Sequence, residues 1–193
     1  MTPTQPPADL DETHNPWQTI SSEPKYQNPW IRVREDQVLN PQGGAGIYGV
    51  VSMKNKAIGI VPLDSEGNTW LVGQYRYTLN EYCWEIPMGG GPVGLDVLES
   101  AQRELREETG LLAARWTRIA RLHTSNSVTD EEGFVFLAEG LTQGDTEPEE
   151  TEDLRLWKLP LAQAIELVMS NRITDAISVA GLLKAEKVLA GRE

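Results

Sequence analysis

From Trp30 onward the chain alternates between apolar and polar positions. In WIRVREDQV, Ile31 and Val33 stand between charged neighbours, the period-two pattern of a half-buried strand, and after the glycine-rich QGGAG turn the run IYGVVSM supplies a partner. An N-terminal strand pair is therefore expected. KAIGIVPL and TWLVGQYRY flank Asp64-Ser65-Glu66-Gly67-Asn68, which reads as a hairpin loop with Gly67 for positive φ, and both runs are expected in one main sheet. Glu85-Ile86-Pro87-Met88 reads as a short strand running into a glycine turn at Gly89-Gly90-Gly91. A helix then opens on Asp96, with Glu99 three residues later completing a capping box, and stops at Gly110. Residues 115–123, 133–139 and 154–159 return to strand pattern. LAQAIELVMS and TDAISVAGLLKAEKVLA close the chain as amphipathic helices, the second capped by Thr174. This mixture is an α/β chain.

The length, 193 residues with 39% hydrophobic content, suits one good core with a small appended element. Twenty-nine acidic residues against 17 basic give a net charge of -12, which argues against general affinity for nucleic acid or an anionic membrane. An anionic ligand must then meet local positive charge. The start, MTPTQPPADLDETHNP, is rich in proline and acid, so disorder is expected through roughly its first 15 residues, and it lacks the pattern of a signal peptide. No run approaches the ~18 apolar residues of a membrane span. The single cysteine, Cys83, excludes an intramolecular disulfide, reads as a buried strand position and fits the reducing cytoplasm. His14 and His123 lack neighbouring ligands, which argues against a transition-metal site.

The chemistry concentrates in Arg103-Glu104-Leu105-Arg106-Glu107-Glu108-Thr109-Gly110. On a helix, Glu104 lies within about 40° of Glu108 and about 60° of Glu107, so three carboxylates share one stripe while Leu98, Ala101 and Leu105 take the opposite arc. Like charges at this spacing repel, and such helix-surface acids are ordinarily solvated or paired with arginines at i,i+4, here Glu99 to Arg103 and Arg103 to Glu107. The flanking glycine turn and capping box favour the other reading, a cation held by hard oxygen ligands, magnesium or manganese.

Residues 89–111, GGGPVGLDVLESAQRELREETGL, resemble the Nudix box: a glycine, five residues, Glu, seven residues, then Arg-Glu-aliphatic-x-Glu-Glu-x-Gly-aliphatic. Gly89, Arg103, Glu104, Leu105, Glu107, Glu108, Gly110 and Leu111 match. Leu95 stands where the family has its first Glu, a residue that there braces the box arginine; Glu99, one turn before Arg103, is the candidate to replace it. LVGQYRY, WEIPMGGG, TSNSVTDE and ITDAISVAGLL extend the resemblance to the ADP-ribose and nucleoside-diphosphate-sugar pyrophosphatase branch, over most of the chain from Trp30 to the last helix.

The resemblance implies a Nudix fold, a mixed sheet sandwiched between helices with an N-terminal antiparallel strand extension. It divides the chain into a tail at 1–20, a dimerising extension at 21–55 and a hydrolase domain at 56–193. It implies metal-dependent cleavage of the pyrophosphate in a nucleoside-diphosphate sugar of GDP-mannose or ADP-ribose type; the alternatives are an ADP-ribose-specific enzyme and a non-catalytic nucleotide-sugar sensor. Glu104, Glu107, Glu108 and the Met88 carbonyl match the metal-ligand positions, with magnesium or manganese as the ion. Arg76 matches an arginine that contacts the phosphates, beside Gly89 and Gly90 of the glycine run. A general base is expected from the acidic run EPEETED, at Glu150 or Glu152, with Glu131 in the SVTDE stretch the second candidate and a substrate contact. Glu85, before the glycine turn, reads as a second-sphere ligand or a structural acid, with the structural role favoured. Tyr26, Trp30 and Tyr48 are available to stack a nucleobase. In this branch the N-terminal strands often exchange across a homodimer.

Overall fold

The computed structural model describes residues 13–144 and 154–192, and these form two compact units divided after Val51. In the N-terminal unit β1 (Gln18–Gln27), β2 (Ile31–Leu39) and β3 (Ala45–Met53) make one sheet in the order β1-β2-β3. β1 and β2 run antiparallel from Gln18 opposite Leu39 to Gln27 opposite Arg32, with two register shifts. Asn28 builds the turn between them, its Oδ1 accepting from the backbone N–H of Trp30 and Ile31 at 2.9 and 2.8 Å. The expected strand pair is thus a three-stranded sheet. β1 escapes detection because QTISSEPKYQ has no period-two apolar pattern, and it is exposed along its whole length.

The second unit carries β4 (Asn55–Leu63), β5 (Asn68–Arg76), β6 (Glu81–Glu85), β7 (Met88–Pro92), β8 (Leu111–His123), β9 (Glu132–Gln143) and β10 (Arg155–Pro160), with helices α1 (Val97–Thr109), α2 (Leu161–Met169) and α3 (Ala176–Ala190). One sheet has the order β7-β4-β9-β8, with β4 and β9 parallel and the outer pairs antiparallel; a second has the order β10-β5-β6. The run between β4 and β5 does turn on itself, Asp64 N–H donating to the Asn68 carbonyl at 3.0 Å with Gly67 at φ 82. The strands then part into different sheets, so the expected hairpin within one sheet is corrected. Local turn chemistry encodes the reversal but not the later partners of each strand.

Side-chain parity divides the core. Ile58 and Ile60 on β4, with Phe134, Phe136 and Ala138 on β9, pack against Ala101 and Leu105 of α1. The alternate positions Val61, Leu63, Val135 and Leu137 face the other way, toward Ile86, Leu71 and the α2 and α3 residues Ala164, Val168, Ile177 and Leu182. The four-stranded sheet is therefore covered on both faces, which explains why its central strands read as near-continuous apolar runs. α3 is capped by Asp175, whose carboxylate accepts from Ser178 N–H at 2.7 Å, and not by the expected Thr174.

Candidate active site

α1 begins where Asp96 accepts from Leu98 N–H at 2.7 Å and ends where Gly110, at φ 70, turns its N–H back to the Arg106 carbonyl at 2.9 Å. Ala101 and Leu105 anchor its apolar face. The acid stripe, expected on the open side, is also covered: Glu108 is 5% exposed, Glu104 8%, and Glu107 half-buried. What covers it is β7. Gly89, Gly90 and Gly91 do not form a turn; they are strand residues paired with Ile58, Ala57 and Lys56 of β4. A Cβ at Gly89 would stand 2.1 to 2.5 Å from the atoms of the Glu104 carboxylate. The glycine run therefore lets the acid helix lie directly against the strand edge.

Arg103 knits this contact together. Its Nη1 donates to Glu107 Oε2 at 2.8 Å, and Nη2 donates to Glu104 Oε1 at 2.7 Å and to the Gly90 carbonyl at 3.0 Å. Burial pulls the guanidinium pKa down, but the charges of Glu104 and Glu107 outweigh it and hold the group above its usual range. Glu99, exposed on the first turn, is not among these partners, so the expected replacement brace is corrected; the acids of the stripe and a strand carbonyl hold Arg103 instead. Leu95, where a family glutamate would stand, is 62% exposed. Glu108 accepts from Met88 N–H at 2.9 Å, which ties the last acid to the first residue of β7.

Arg76 ends β5 and reaches Glu85 at the end of β6. Its Nε donates to both carboxylate oxygens of Glu85 at 3.0 Å, and Nη2 donates to Oε2. Glu85 is 4% exposed and Arg76 half-buried. The hydrogen bonds that Arg76 donates to Glu85 raise its pKa against the opposing pull of burial, with the charge of Glu85 and then those of Asp175 and Glu108 adding to them. The same segment is fixed from the other side, where Ile86 N–H donates to Ser178 Oγ at 3.0 Å. Sequence spacing gave no hint of the Arg76–Glu85 pair, nine residues apart across a hairpin whose register the sequence does not show. Cys83, half-buried on β6, has its thiol pKa pushed up by burial and by Glu85 and Glu81, which suits a packing role.

Glu131 is half-buried in the loop before β9, bonded to Thr124 Oγ1 and, through its N–H, to Thr129 Oγ1 at 3.1 Å. The adjacent Asp130 accepts from Ser52 Oγ at 2.7 Å and Met53 N–H at 3.2 Å. Glu150 and Glu152 lie outside the described residues. Trp30, 66% exposed, and Tyr26 stay open in the N-terminal unit, while Tyr48 packs edge-on against Trp17 at 5.6 Å between ring centres.

The Arg103 guanidinium against the three carboxylates of the stripe, Glu104, Glu107 and Glu108, leaves this cluster negative, and its candidate ligand atoms are hard oxygens. That chemistry fits a hard divalent cation that keeps waters and uses few carboxylates. Among the described residues no group of three or more acidic, histidine or cysteine side chains is placed to hold a metal ion by itself.

A model of the nucleoside diphosphate sugar hydrolase N-terminal domain matches residues 17–51, and a NUDIX domain model matches residues 53–177. An ADP-ribose pyrophosphatase of Mycobacterium tuberculosis is 37% identical over 91% of this chain and 86% of its own length. An ADP-ribose pyrophosphatase of Bacillus subtilis is 32% identical over 82% and 86% respectively. A solved structure described as an ADP compounds hydrolase superposes with a TM-score of 0.83 over 94% of this chain and 98% of that one, at 22% identity, a likeness of fold.

Proposed function

The chain belongs to the Nudix hydrolase family, and from that premise we propose that it cleaves the pyrophosphate bond of nucleoside-diphosphate sugars, ADP-ribose first and GDP-mannose second, to a nucleoside monophosphate and a sugar phosphate. The observation that carries the reading is the acid stripe against the glycine strand: Glu104 packs on Gly89, Glu108 accepts from Met88 N–H, and Arg103 ties Glu107 to Glu104 and to the Gly90 carbonyl. Among the described residues no element of the site offers a nucleophile with an adjacent base, which supports attack of water on phosphorus.

Glu104, Glu107, Glu108 and the Met88 carbonyl would hold magnesium or manganese, which lowers the pKa of bound water and neutralises charge on the diphosphate. Arg103 and β7 keep the acids in one orientation. Arg76 receives the diphosphate, since a planar guanidinium matches paired phosphate oxygens, with Gly89 and Gly90 as further substrate contacts. The general base is assigned to Glu150 or Glu152, with Glu131 as the second candidate and a substrate contact.

The N-terminal unit supports the homodimer: Ile20, Tyr26 and Ile47 are exposed on its strands, Trp17 just before β1 and Trp30 in the β1–β2 turn, and its sheet buries almost no apolar side chain. Exchange of this unit between protomers would cover them and offer Trp30 to a nucleobase. The extension is taken as 21–55 and the hydrolase domain as 56–193. A cytoplasmic setting suits the substrates and the lone thiol of Cys83, and no helix among the described residues is long and apolar enough to cross a membrane.

A panel of nucleoside-diphosphate sugars hydrolysed in isotopically labelled water tests the reaction. One label should appear in a monophosphate product; label on a sugar carbon, or release of free nucleoside diphosphate, would overturn it.

A further inference from the structure

We propose that Glu85 is a positioning residue that fixes which edge of Arg76 faces the substrate. Arg76 carries five N–H donors in a rigid fork. Glu85 takes the side-on edge, through Nε and Nη2. Nη1 has no hydrogen-bond partner among the described residues, which leaves the end-on edge, Nη1 with the second Nη2 hydrogen, to meet paired phosphate oxygens.

The anchor is stiff. Glu85 is 4% exposed at the end of β6, and the next residue, Ile86, is tied by its N–H to Ser178 Oγ on α3 at 3.0 Å. An arginine on a strand end without such a partner samples many rotamers, and ordering it on binding costs affinity. Glu85 pays that cost at folding. The pair is also neutral as a unit, so the cluster keeps the negative charge of α1 for a cation while the guanidinium edge remains directional.

This rests on the reading of Arg76 as the diphosphate contact, and the test separates the two. Steady-state kinetics with ADP-ribose are measured for wild type, Glu85→Gln, Arg76→Ala and the double variant. Gln is isosteric and keeps an acceptor for Nε, so Glu85→Gln should raise KM roughly tenfold with kcat within about threefold, while in the Arg76→Ala background the same change should add less than about twofold. Glu85→Asp, which keeps the charge, should recover part of the KM loss. An equal KM rise in both backgrounds, or a loss that follows the melting temperature and lowers kcat instead, would make Glu85 merely structural and overturn the proposal. If Glu85→Gln unfolds the protein, Glu85→Asp alone carries the test through the same cycle. An unchanged KM in Arg76→Ala would overturn the phosphate assignment itself.

Discussion

Gly89→Ala isolates the contact on which the acid site depends. The added Cβ would lie 2.1 Å from Glu104 Oε2, 2.2 Å from Cδ and 2.5 Å from Oε1. An ordinary carbon–oxygen approach is about 3.3 Å, so the carboxylate must withdraw by more than an ångström. Glu104 is buried and bonded to Arg103 at 2.7 Å, and withdrawal breaks that bond. Overpacking costs about 1–3 kcal/mol, offset by roughly 0.4–1 kcal/mol because alanine restricts the unfolded chain and Gly89 does not need positive φ. The net, about 1–2 kcal/mol, corresponds to a melting-temperature drop of roughly 2–8 °C. Displacing a catalytic group by about an ångström costs on the order of a hundredfold in rate. Calorimetry and kcat/KM for ADP-ribose with saturating magnesium read both effects. Shortening the acid in Gly89→Ala/Glu104→Asp should recover part of the melting temperature, a non-additivity only a direct contact produces. Gly89→Ala with wild-type melting and activity within threefold would refute the argument.

Glu108→Gln should lower magnesium-dependent turnover by on the order of a hundredfold or more, and its melting temperature should stay within a few degrees because Gln still accepts from Met88 N–H, 2.9 Å away in the wild type; turnover within a few-fold of wild type would remove Glu108 from the metal site. Leu95→Glu should leave turnover within about tenfold and add roughly 0–1 kcal/mol, since Leu95 is exposed and Arg103 is already held; rescue of an otherwise inactive protein would favour a sensor. Asp64 has its pKa lowered to about 2, its hydrogen bonds from Lys158, Asn68 and Glu66 outweighing the opposing pull of burial. A depressed carboxylate stabilises the fold above its unfolded pKa and loses that contribution as pH falls through the folded one. The gap between wild type and Asp64→Asn, about 1–2 kcal/mol after solvent screening, should therefore be constant above roughly pH 5 and shrink toward pH 2; a gap that grows on acidification would contradict the assignment.

The sequence by itself determined α1 nearly to the residue, because Asp96 as a cap and Gly110 as a left-handed stop act through atoms within four positions of themselves. It determined the spacing of Arg103, Glu104, Glu107 and Glu108 for the same reason, and the apolar runs of β4 and β9. Tertiary structure decided what each element meets. Pro87 and the glycines after it form a link and a strand edge rather than a turn, since β4 supplies their backbone partners. β4 and β5 part after a turn that looks like a hairpin, and β1 pairs without an apolar signature. Burial of Glu104 and Glu108 follows from β7 lying over α1, which no helical wheel of α1 contains. The pairing of Arg76 with Glu85 reaches along the β5–β6 ladder, where Arg76 stands opposite Glu81 and Glu85 opposite Val72, and that register is set by the sum of contacts along the sheet, a quantity no local window of sequence holds.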